Sequence, residues 1–376
     1  MVRSLLVLML AAGSIVLAAC GGEDGGDLAS AMSIPGWKTD ASNRSVALEE
    51  FRSGGPPRDG IPPIDDPKLL GVTDADRLLD DTEPVMVVEL GGRARAYPLR
   101  IMVWHEIVND RLAGRPIAVT YCPLCNSAVV FDRRVGGREL TFGTTGKLRR
   151  SDLVMWDRQT ESWWQQFSGE ALVGELTGTV LRPEASRTLS WRDFKRAFPQ
   201  GTVLSQDTGV ERPYGRIPYE GYDADSDEEP FLLDAKADRR LPPKERVLLV
   251  RSGGASTAIA FTRLRRDPVV AGEVGGAPFV GFFAPGVRSA LDRAVIADSR
   301  DVGSAAAYDP RVDGRLLRFD SGGRGVFVDA QTSSRWDLTG RAVSGPLEGR
   351  RLRPLRHDQQ FWFAVAAFLP DVRILR

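Results

Sequence analysis

The 376-residue chain has few side chains with a soft ligand atom, only three cysteines and two histidines. Its lysines and arginines together number 50, as do its aspartates and glutamates, so it carries no net charge. It has no basic block interleaved with aromatic residues, which excludes the usual electrostatic pattern of a nucleic-acid-binding surface. It also lacks a glycine-rich phosphate loop with lysine and a Gly-x-Ser-x-Gly nucleophile motif. Because soft ligands are so scarce, the position of each one is informative.

Long hydrophobic runs are also scarce. The longest is the uncharged stretch Leu5–Ala19, which follows Arg3 and ends in "LAAC" at Cys20. A run this short with small residues at its end predicts a secretory signal rather than a membrane-spanning helix. The cysteine after small residues resembles the lipobox of bacterial lipoproteins, which implies cleavage before Cys20 and diacylation of its thiol.

We therefore expect residues 1–20 to be a lipoprotein signal peptide and residues 21–44 to be a polar tether. The lipid anchor on Cys20 would hold the protein at a membrane of the cell envelope. We expect the anchor to lie on the outer side of the cytoplasmic membrane, or in the periplasm or outer membrane. The alternative is an ordinary signal peptide in which Cys20 is incidental.

The chain repeats itself. The segments "DRQTESWWQQFSGEALVGELTGTVL" from Asp157 and "DAQTSSRWDLTGRAVSGPLEGRRL" from Asp329 share the pattern Asp-x-Gln-Thr-x-Ser-x-Trp. Matches continue in the same order on both sides of these segments, which predicts a tandem duplication. We name residues 45–205 copy one and residues 245–376 copy two, joined by an acidic linker at 206–244. We expect the shared Thr, Ser and Trp positions to form turns and core packing.

Each copy has the sequence pattern of short strands, tight turns and short helices. In copy one, "EPVMVVELGGRARAYPL" predicts a β-hairpin, and "RPIAVTY" predicts a strand that leads into two cysteines. The segments "LRIMVWHEIVND" and "LSWRDFKRAFP" have apolar residues at helical spacing. We predict an α+β fold in which antiparallel sheet dominates, built as two pseudo-symmetric copies.

The two remaining cysteines lie in "YCPLCNSAVVFDR". At a spacing of 162 residues, Cys122 falls on Ala284 and Cys125 on Val287, while the proline between them is kept. His105 falls on Asp267. Copy two therefore retains the pattern of the loop without its sulfurs, which indicates that the thiols serve chemistry and are not needed for folding.

The favoured interpretation is a soft-metal site for copper(I) or zinc, because a Cys-x-x-Cys turn can place two thiolates on one ion. His105 lies 17 residues before Cys122, on the predicted helix that precedes the strand. We expect His357 at the start of the last helix of copy two, where a contact between the copies would bring it to the same place. The predicted ligand set is thus Cys122, Cys125, His105 and His357.

Two other interpretations remain open. The first is a thiol–disulfide oxidoreductase in which Cys122 and Cys125 are the catalytic pair, although the residues that follow resemble a hairpin and not the helix that usually stabilises such a thiolate. The second is a non-catalytic binding scaffold with incidental thiols. A purely structural disulfide would add little, because it closes a very short loop. The sequence leaves open whether the protein is an enzyme and what small molecule or protein it binds.

Four segments together resemble a known family, and they are "YCPLCNSAVVFDR", "LVMWDRQTESWWQQFSGEALVGELTG", "RPYGRIPYEGY" and "FWFAVAAFLP". They are similar to a widespread bacterial and archaeal family of unknown function whose members are often described as membrane proteins or lipoproteins. The resemblance covers about residues 45–376 and differs at Ile217, where the family pattern has an aspartate. Because no reaction is assigned to the family, the resemblance implies a location but no activity.

Overall fold

The structure is a computed structural model that describes residues 34–234 and 238–376. The expected signal peptide, Cys20 and the first part of the tether lie outside the described residues. Within the described residues, no helix is long and apolar enough to cross a membrane.

The first part of the chain contains sixteen strands and three α-helices in its described residues. In chain order they are β1 (Arg52–Ser53), β2 (Leu69–Gly71), α1 (Val72–Ala75), β3 (Pro84–Leu90), β4 (Arg93–Pro98), α2 (Leu99–His105), β5 (Ile107–Leu112), β6 (Arg115–Cys122), β7 (Ser127–Asp132), β8 (Arg134–Val135), β9 (Arg138–Glu139), β10 (Phe142–Arg149), β11 (Asp152–Asp157), β12 (Trp163–Gln165), β13 (Ala171–Val173), β14 (Pro183–Glu184), β15 (Ser186–Ser190), α3 (Trp191–Ala197) and β16 (Thr202–Leu204).

The second part contains fourteen strands and two α-helices in its described residues. They are β17 (Arg246–Ser252), β18 (Ala255–Ala260), α4 (Phe261–Arg266), β19 (Val269–Val274), β20 (Ala277–Ala284), β21 (Ser304–Asp309), β22 (Arg311–Val312), β23 (Arg315–Leu316), β24 (Phe319–Ser321), β25 (Phe327–Asp329), β26 (Arg335–Trp336), β27 (Ala342–Ser344), β28 (Arg353–Pro354), β29 (Arg356–Phe361), α5 (Trp362–Phe368) and β30 (Arg373–Leu375). Leu48–Glu50 and Ile296–Asp298 form single 3₁₀ turns.

The strands of the two copies assemble into sheets of corresponding order. Copy one contributes to the sheets β15-β3-β4-β16-β2, β14-β7-β6-β5 and β1-β10-β11-β12-β13. Copy two forms β29-β17-β18-β30, β28-β21-β20-β19 and β24-β25-β26-β27. Among the strands described, only the pairs β4–β16 and β18–β30 are parallel. The predicted antiparallel-rich α+β fold is confirmed.

The registers of the two copies also correspond. Ile107 pairs with Thr120 in β5–β6, and Val269 pairs with Phe282 in β19–β20, which is the same pair shifted by 162 residues. The turns Gly91-Gly92 and Gly253-Gly254 both have positive φ at each glycine, as a tight two-residue hairpin requires. This agreement is what the predicted duplication requires, while the duplication itself stays a prediction from the sequence.

The repeated Asp-x-x-Thr-x-Ser-x-Trp pattern forms the same hydrogen-bonded turn in both copies. Asp157 accepts hydrogen bonds from the backbone N–H of Thr160 (2.7 Å) and from the indole N–H of Trp164 (2.9 Å). Asp329 accepts the corresponding bonds at 2.6 and 3.0 Å. Both tryptophans are fully buried, so each aspartate satisfies an indole donor that has no access to water.

Strand β29 and helix α5 join the copies. Phe361, Trp362 and Val365 pack in the same core cluster as Cys122 and Cys125. The N–H of Phe361 donates to the carbonyl oxygen of Cys125 (2.9 Å). The end of copy two therefore covers the cysteine loop of copy one.

The expected position of His357 at the start of the last helix is wrong. His357 lies within β29, opposite Val250 of β17, and the helix begins five residues later at Trp362. β29 is the edge strand of its sheet, and "RHDQQF" is nonetheless buried on both faces, so its side chains alternate between two buried surfaces as those of an extended strand do.

We predict that Asp157→Asn and Asp329→Asn each lower the free energy of unfolding by about 1–3 kcal/mol. The amide places a donor against the buried indole N–H, which then loses its acceptor. Chemical denaturation of each variant measures the change. Asp313→Asn is the matched control, because Asp313 forms only an exposed ion pair with Arg350 and should change stability by less than about 0.5 kcal/mol. An effect no larger than that of the control would contradict the prediction.

A second prediction concerns acid stability. Burial lowers the pKa of His357 to about 4, whereas the usual pKa of histidine is about 6.5. Between about pH 6.5 and pH 4 the unfolded chain therefore binds a proton that the folded chain does not. Stability from this group is complete above about pH 6.5 and is lost as the pH falls toward 4, by up to about 3 kcal/mol. His357→Gln should remove that part of the pH dependence, measured as unfolding free energy at several pH values. Parallel pH profiles for the two proteins would show that His357 does not titrate this way.

Candidate functional site

The two cysteines lie on a tight hairpin turn. Cys122 ends β6 and pairs with Ser127, the first residue of β7. Between them, the N–H of Asn126 donates to the carbonyl oxygen of Pro123 (3.1 Å), and Asn126 has φ of 49°. Asparagine adopts this left-handed conformation more readily than most residues, which fits its place at the end of the turn. The turn brings the Cys125 thiol beside that of Cys122, and both are buried free thiols.

A second turn meets the first. Arg149 pairs with Asp152 across β10–β11, and the two residues between them, Arg150 and Ser151, have φ of 52° and 64°. A two-residue turn with positive φ at both positions suits the twist of a hairpin, but it normally uses Asn-Gly. The thiols of Cys125 and Cys122 donate to the carbonyl oxygen of Ser151, at 3.4 and 3.9 Å. The strained turn thus places a backbone acceptor against both sulfurs.

Asp152 completes a three-residue cluster. One ligand atom each from Cys122, Cys125 and Asp152 lie within 4.8 Å of one another, and all three residues are buried. The Oδ2 atom of Asp152 accepts hydrogen bonds from the side chain of Gln165 (2.6 Å) and from the N–H of Phe167 (2.9 Å). Its Oδ1 atom is buried and has no hydrogen-bond partner among the described residues. The two bonds to Oδ2 orient the carboxylate and leave one oxygen for a ligand.

Burial dominates the electrostatics of this cluster. It raises the pKa of both thiols, that of Cys125 well above its usual range. It also raises the pKa of Asp152 to about 6, against the opposing effect of the hydrogen bonds from Gln165 and Phe167. Removal from water disfavours the charged form of an acid unless a cation compensates it. The cluster therefore holds three acidic groups whose neutral forms are favoured by burial.

Some other buried carboxylates in the described chain do have a cationic partner, whereas Asp157 and Asp329 are held by hydrogen bonds without an ion pair. Asp110 forms an ion pair with Arg95 (2.5 Å), and Asp223 forms one with Arg246 (2.5 Å). No lysine or arginine of the described residues forms an ion pair with Asp152. The arginines near the turn point elsewhere, since Arg149 binds Glu50 and Arg150 donates to the carbonyl oxygen of Ala367.

A cavity of about 480 Å³ lies beside the cluster. Leu124, between the two cysteines, and Leu153, next to Asp152, line it, and the linker closes it from the other side with Tyr219 and Tyr222. Glu106 also reaches it. This carboxyl group is buried, its pKa is raised by burial to about 8, and its nearest polar partner is the Tyr219 hydroxyl, which donates at 3.4 Å.

The structure does not bring the two histidines to the sulfurs, since within the described residues neither belongs to the three-residue cluster. His105 lies on α2 as predicted, but α2 ends there, and the rest of the segment predicted as helix, "IVND", belongs to strand β5. The Nδ1 of His105 bonds the carbonyl oxygen of Pro62 (2.7 Å) and its Nε2 bonds the hydroxyl of Tyr214 (2.6 Å). With both ring nitrogens engaged, the imidazole has no free ligand atom. His357 donates from Nδ1 to the carbonyl oxygen of Leu355, and its Nε2 is buried without a partner among the described residues.

Sequence reasoning missed Asp152. It is the single acid at the start of the apolar strand "DLVMW", which is an unusual place for a charged side chain. The repeat offers a second signal: if Asp157 is aligned with Asp329, Asp152 falls on Arg324. Copy two thus lacks the carboxylate as well as both sulfurs, and a comparison of that position would have linked the three residues.

Comparisons with known proteins identify the family and nothing narrower. No curated protein and no solved structure matches the chain. A family model described as a protein of unknown function (DUF3179) matches residues 58–372. That range includes the cysteine turns, the linker and most of copy two, and the chain therefore belongs to this family of unknown function.

Proposed function

We propose that this protein binds a metal ion through Cys122, Cys125 and Asp152, with zinc as the ion that fits best. The observation that carries the proposal is the convergence of these three buried ligands within 4.8 Å, while no lysine or arginine in the described part of the chain forms an ion pair with Asp152. Burial of several acidic groups without compensation is costly, and a bound cation removes that cost.

The nature of the ligands favours zinc over copper(I). Two thiolates suit both ions, but a carboxylate is a harder ligand that zinc accepts and copper(I) does not prefer. A divalent ion also compensates more of the negative charge that the three ligands carry when deprotonated. Three protein ligands leave a fourth position of the tetrahedron open, which is the arrangement of zinc sites that bind water or a substrate.

The strained turn supports a functional role for the cluster. Arg150 and Ser151 both adopt a conformation that costs roughly 1 kcal/mol or more for a residue with a side chain. In the corresponding hairpin of copy two, "SGGRG", Gly323 and Gly325 adopt such conformations freely, and Arg324 is the one residue with a side chain that also does so, with φ of 45°. In copy one, the strained residues are those of the turn that places Ser151 and Asp152 against the sulfurs.

A thiol–disulfide oxidoreductase is the second candidate. The observation in its favour is that both thiols donate to one carbonyl oxygen and lie beside a carboxylate that could accept a proton from them. Two other observations weigh against it. The pKa of each thiol is raised, so little reactive thiolate is present. The residues after Cys125 enter strand β7 and not a helix whose N-terminus would stabilise a thiolate.

Metal binding is tested with anaerobically purified protein, reduced and then dialysed against zinc. We expect about one equivalent of zinc per chain by elemental analysis. Zinc binding should be weakened at least about 10-fold by each of the variants Cys122→Ser, Cys125→Ser and Asp152→Asn. Removal of a group that only supports a metal ligand already costs about 10-fold in affinity, and removal of a ligand should cost no less. Competition with a chromogenic chelator measures the affinity.

His105→Gln and His357→Gln are the matched controls for this experiment. They should keep the zinc stoichiometry and affinity, because neither imidazole reaches the cluster. Loss of zinc in the histidine variants would contradict this ligand set and favour the Cys₂His₂ site predicted from the sequence. A protein that binds neither zinc nor copper(I) but cycles a disulfide with a potential well above structural values would favour the oxidoreductase.

We also propose that the protein is a lipoprotein of the cell envelope, anchored through Cys20. The support is the sequence "LLVLMLAAGSIVLAAC" together with the polar residues that follow it. When the full chain is expressed in a bacterium with a labelled fatty acid, the label should appear on the protein and the protein should sediment with membranes. Cys20→Ala should lose the label and keep the fold. An unlabelled wild-type protein released in soluble form would contradict the anchor.

A further inference from the structure

The cavity beside the cysteine cluster has the size and composition of a small-molecule site. Its volume of about 480 Å³ falls within the range of such sites, roughly 300–1,000 Å³. It lies between the β10–β11 hairpin of copy one and the linker residues 218–231. Its floor is close to the cluster, because Leu124 and Leu153 are chain neighbours of the cysteines and of Asp152.

The walls of this cavity are mostly apolar and partly aromatic. Tyr219 and Tyr222 contribute ring faces from the linker, and Leu124, Leu148 and Leu153 contribute aliphatic groups from copy one. Phe231 stands at the rim with half of its surface exposed, which is unusual for a phenylalanine. Flat aromatic walls in a narrow apolar space favour a ligand that carries a planar ring.

Polar contacts hold Tyr222 in position. Its hydroxyl donates to the carbonyl oxygen of Leu124 (3.0 Å), so it ties the linker to the cysteine turn. The ammonium group of Lys244 lies 4.2 Å from the Tyr222 ring centre, donates to the backbone oxygen of Tyr222 and pairs with Glu228. These contacts fix the linker wall against the cysteine turn.

Glu106 is the one charged-type side chain that reaches the cavity from the protein interior. It is 6 % exposed, and it has φ of 57° directly after helix α2. Its backbone is bonded on both sides, since its N–H donates to Met102 and its carbonyl oxygen accepts from the N–H of Tyr121, each at 2.8 Å. The strained but doubly anchored backbone holds the carboxyl group at the cavity.

The surroundings of Glu106 keep this group neutral. No lysine or arginine of the described residues forms an ion pair with it, and burial raises its pKa to about 8. A neutral carboxylic acid in an apolar pocket presents an O–H donor, and its best partner is an uncharged acceptor oxygen.

We propose that this cavity binds an uncharged organic molecule that carries a planar ring and a carbonyl-type oxygen, with the carboxyl group of Glu106 donating a hydrogen bond to that oxygen. The proposal does not depend on metal binding by the cysteine cluster. A cationic amine would need an ionised carboxylate, and an anion would meet three carboxyl groups, Glu106, Glu220 and Glu228, against one cation of the lining, the half-buried Lys147.

Four probes of similar shape separate these ligand classes: benzophenone (carbonyl), diphenylmethane (no acceptor), benzhydrylamine (cation) and diphenylacetate (anion). Ligand-observed NMR at neutral pH measures their affinities for the metal-free protein. We expect saturable binding of benzophenone, about 10-fold weaker binding of diphenylmethane because it lacks one hydrogen bond, and weaker binding of both ions. Tighter binding of the amine, or equal binding of benzophenone and diphenylmethane, would overturn the proposal.

Two variants locate the donor. Glu106→Leu removes it and should weaken benzophenone about 10-fold, to the level of diphenylmethane. Glu106→Gln keeps an N–H donor and should stay within about 3-fold of the wild type. Cys122→Ser/Cys125→Ser, which abolishes the proposed metal site, should leave benzophenone binding unchanged, so the two proposals can fail separately.

Irradiation of the benzophenone complex gives a readout that does not rely on any variant. Its excited carbonyl attacks nearby C–H bonds, so peptide mapping should find adducts in residues 144–153 or 218–231. Adducts confined to other segments, or the absence of saturable binding, would overturn the assignment of this cavity.

Discussion

Both thiols converge on the carbonyl oxygen of Ser151, and the rest of the site depends on that contact. It requires two hairpin turns from different sheets to meet, and each turn contains a residue with a side chain in a left-handed conformation, Asn126 in one and Ser151 in the other. The same meeting places Asp152 beside the sulfurs, because it is the next residue along β11. In the corresponding hairpin of copy two, two of the three left-handed positions are glycine and the third is Arg324.

Buried carboxylates of the described chain are balanced in different ways. Glu83 has Arg100 as a partner and Asp110 has Arg95, while Asp157 and Asp329 have hydrogen bonds alone, among them one from a buried indole. Among the described residues Asp152 and Glu106 also form no ion pair, and burial raises the pKa of both. Two different solutions follow from two different surroundings. Asp152 lies next to two thiols that a cation can bind with it, whereas Glu106 faces an apolar cavity in which it stays protonated.

The sequence predicted the elements better than the site. Hairpins around Gly-Gly and the strand before Cys122 are local features, set by residue spacing and turn chemistry, and the structure has them. The helix that bears His105 is also present, but the "IVND" predicted to continue it forms strand β5. The histidine ligands depended on long-range packing that spacing does not define. His105 turns to Pro62 and Tyr214, and a helix start was predicted where "RHDQQF" forms a buried edge strand. The segment "RHDQQF" is mostly polar, so it lacks the alternation of apolar and polar residues by which a strand is recognised in a sequence.

The comparison of the copies separates what the scaffold needs from what the site adds. The turn in which an aspartate binds a buried indole is the same in both, so it belongs to the shared scaffold. Cys122, Cys125 and Asp152 fall on Ala284, Val287 and Arg324, so all three ligands are missing together from a copy that keeps the sheets. Copy two still takes part in the site, because Phe361 bonds the carbonyl oxygen of Cys125 and α5 packs in the same core. Copy one thus supplies the three side chains of the cluster, and the end of copy two covers them.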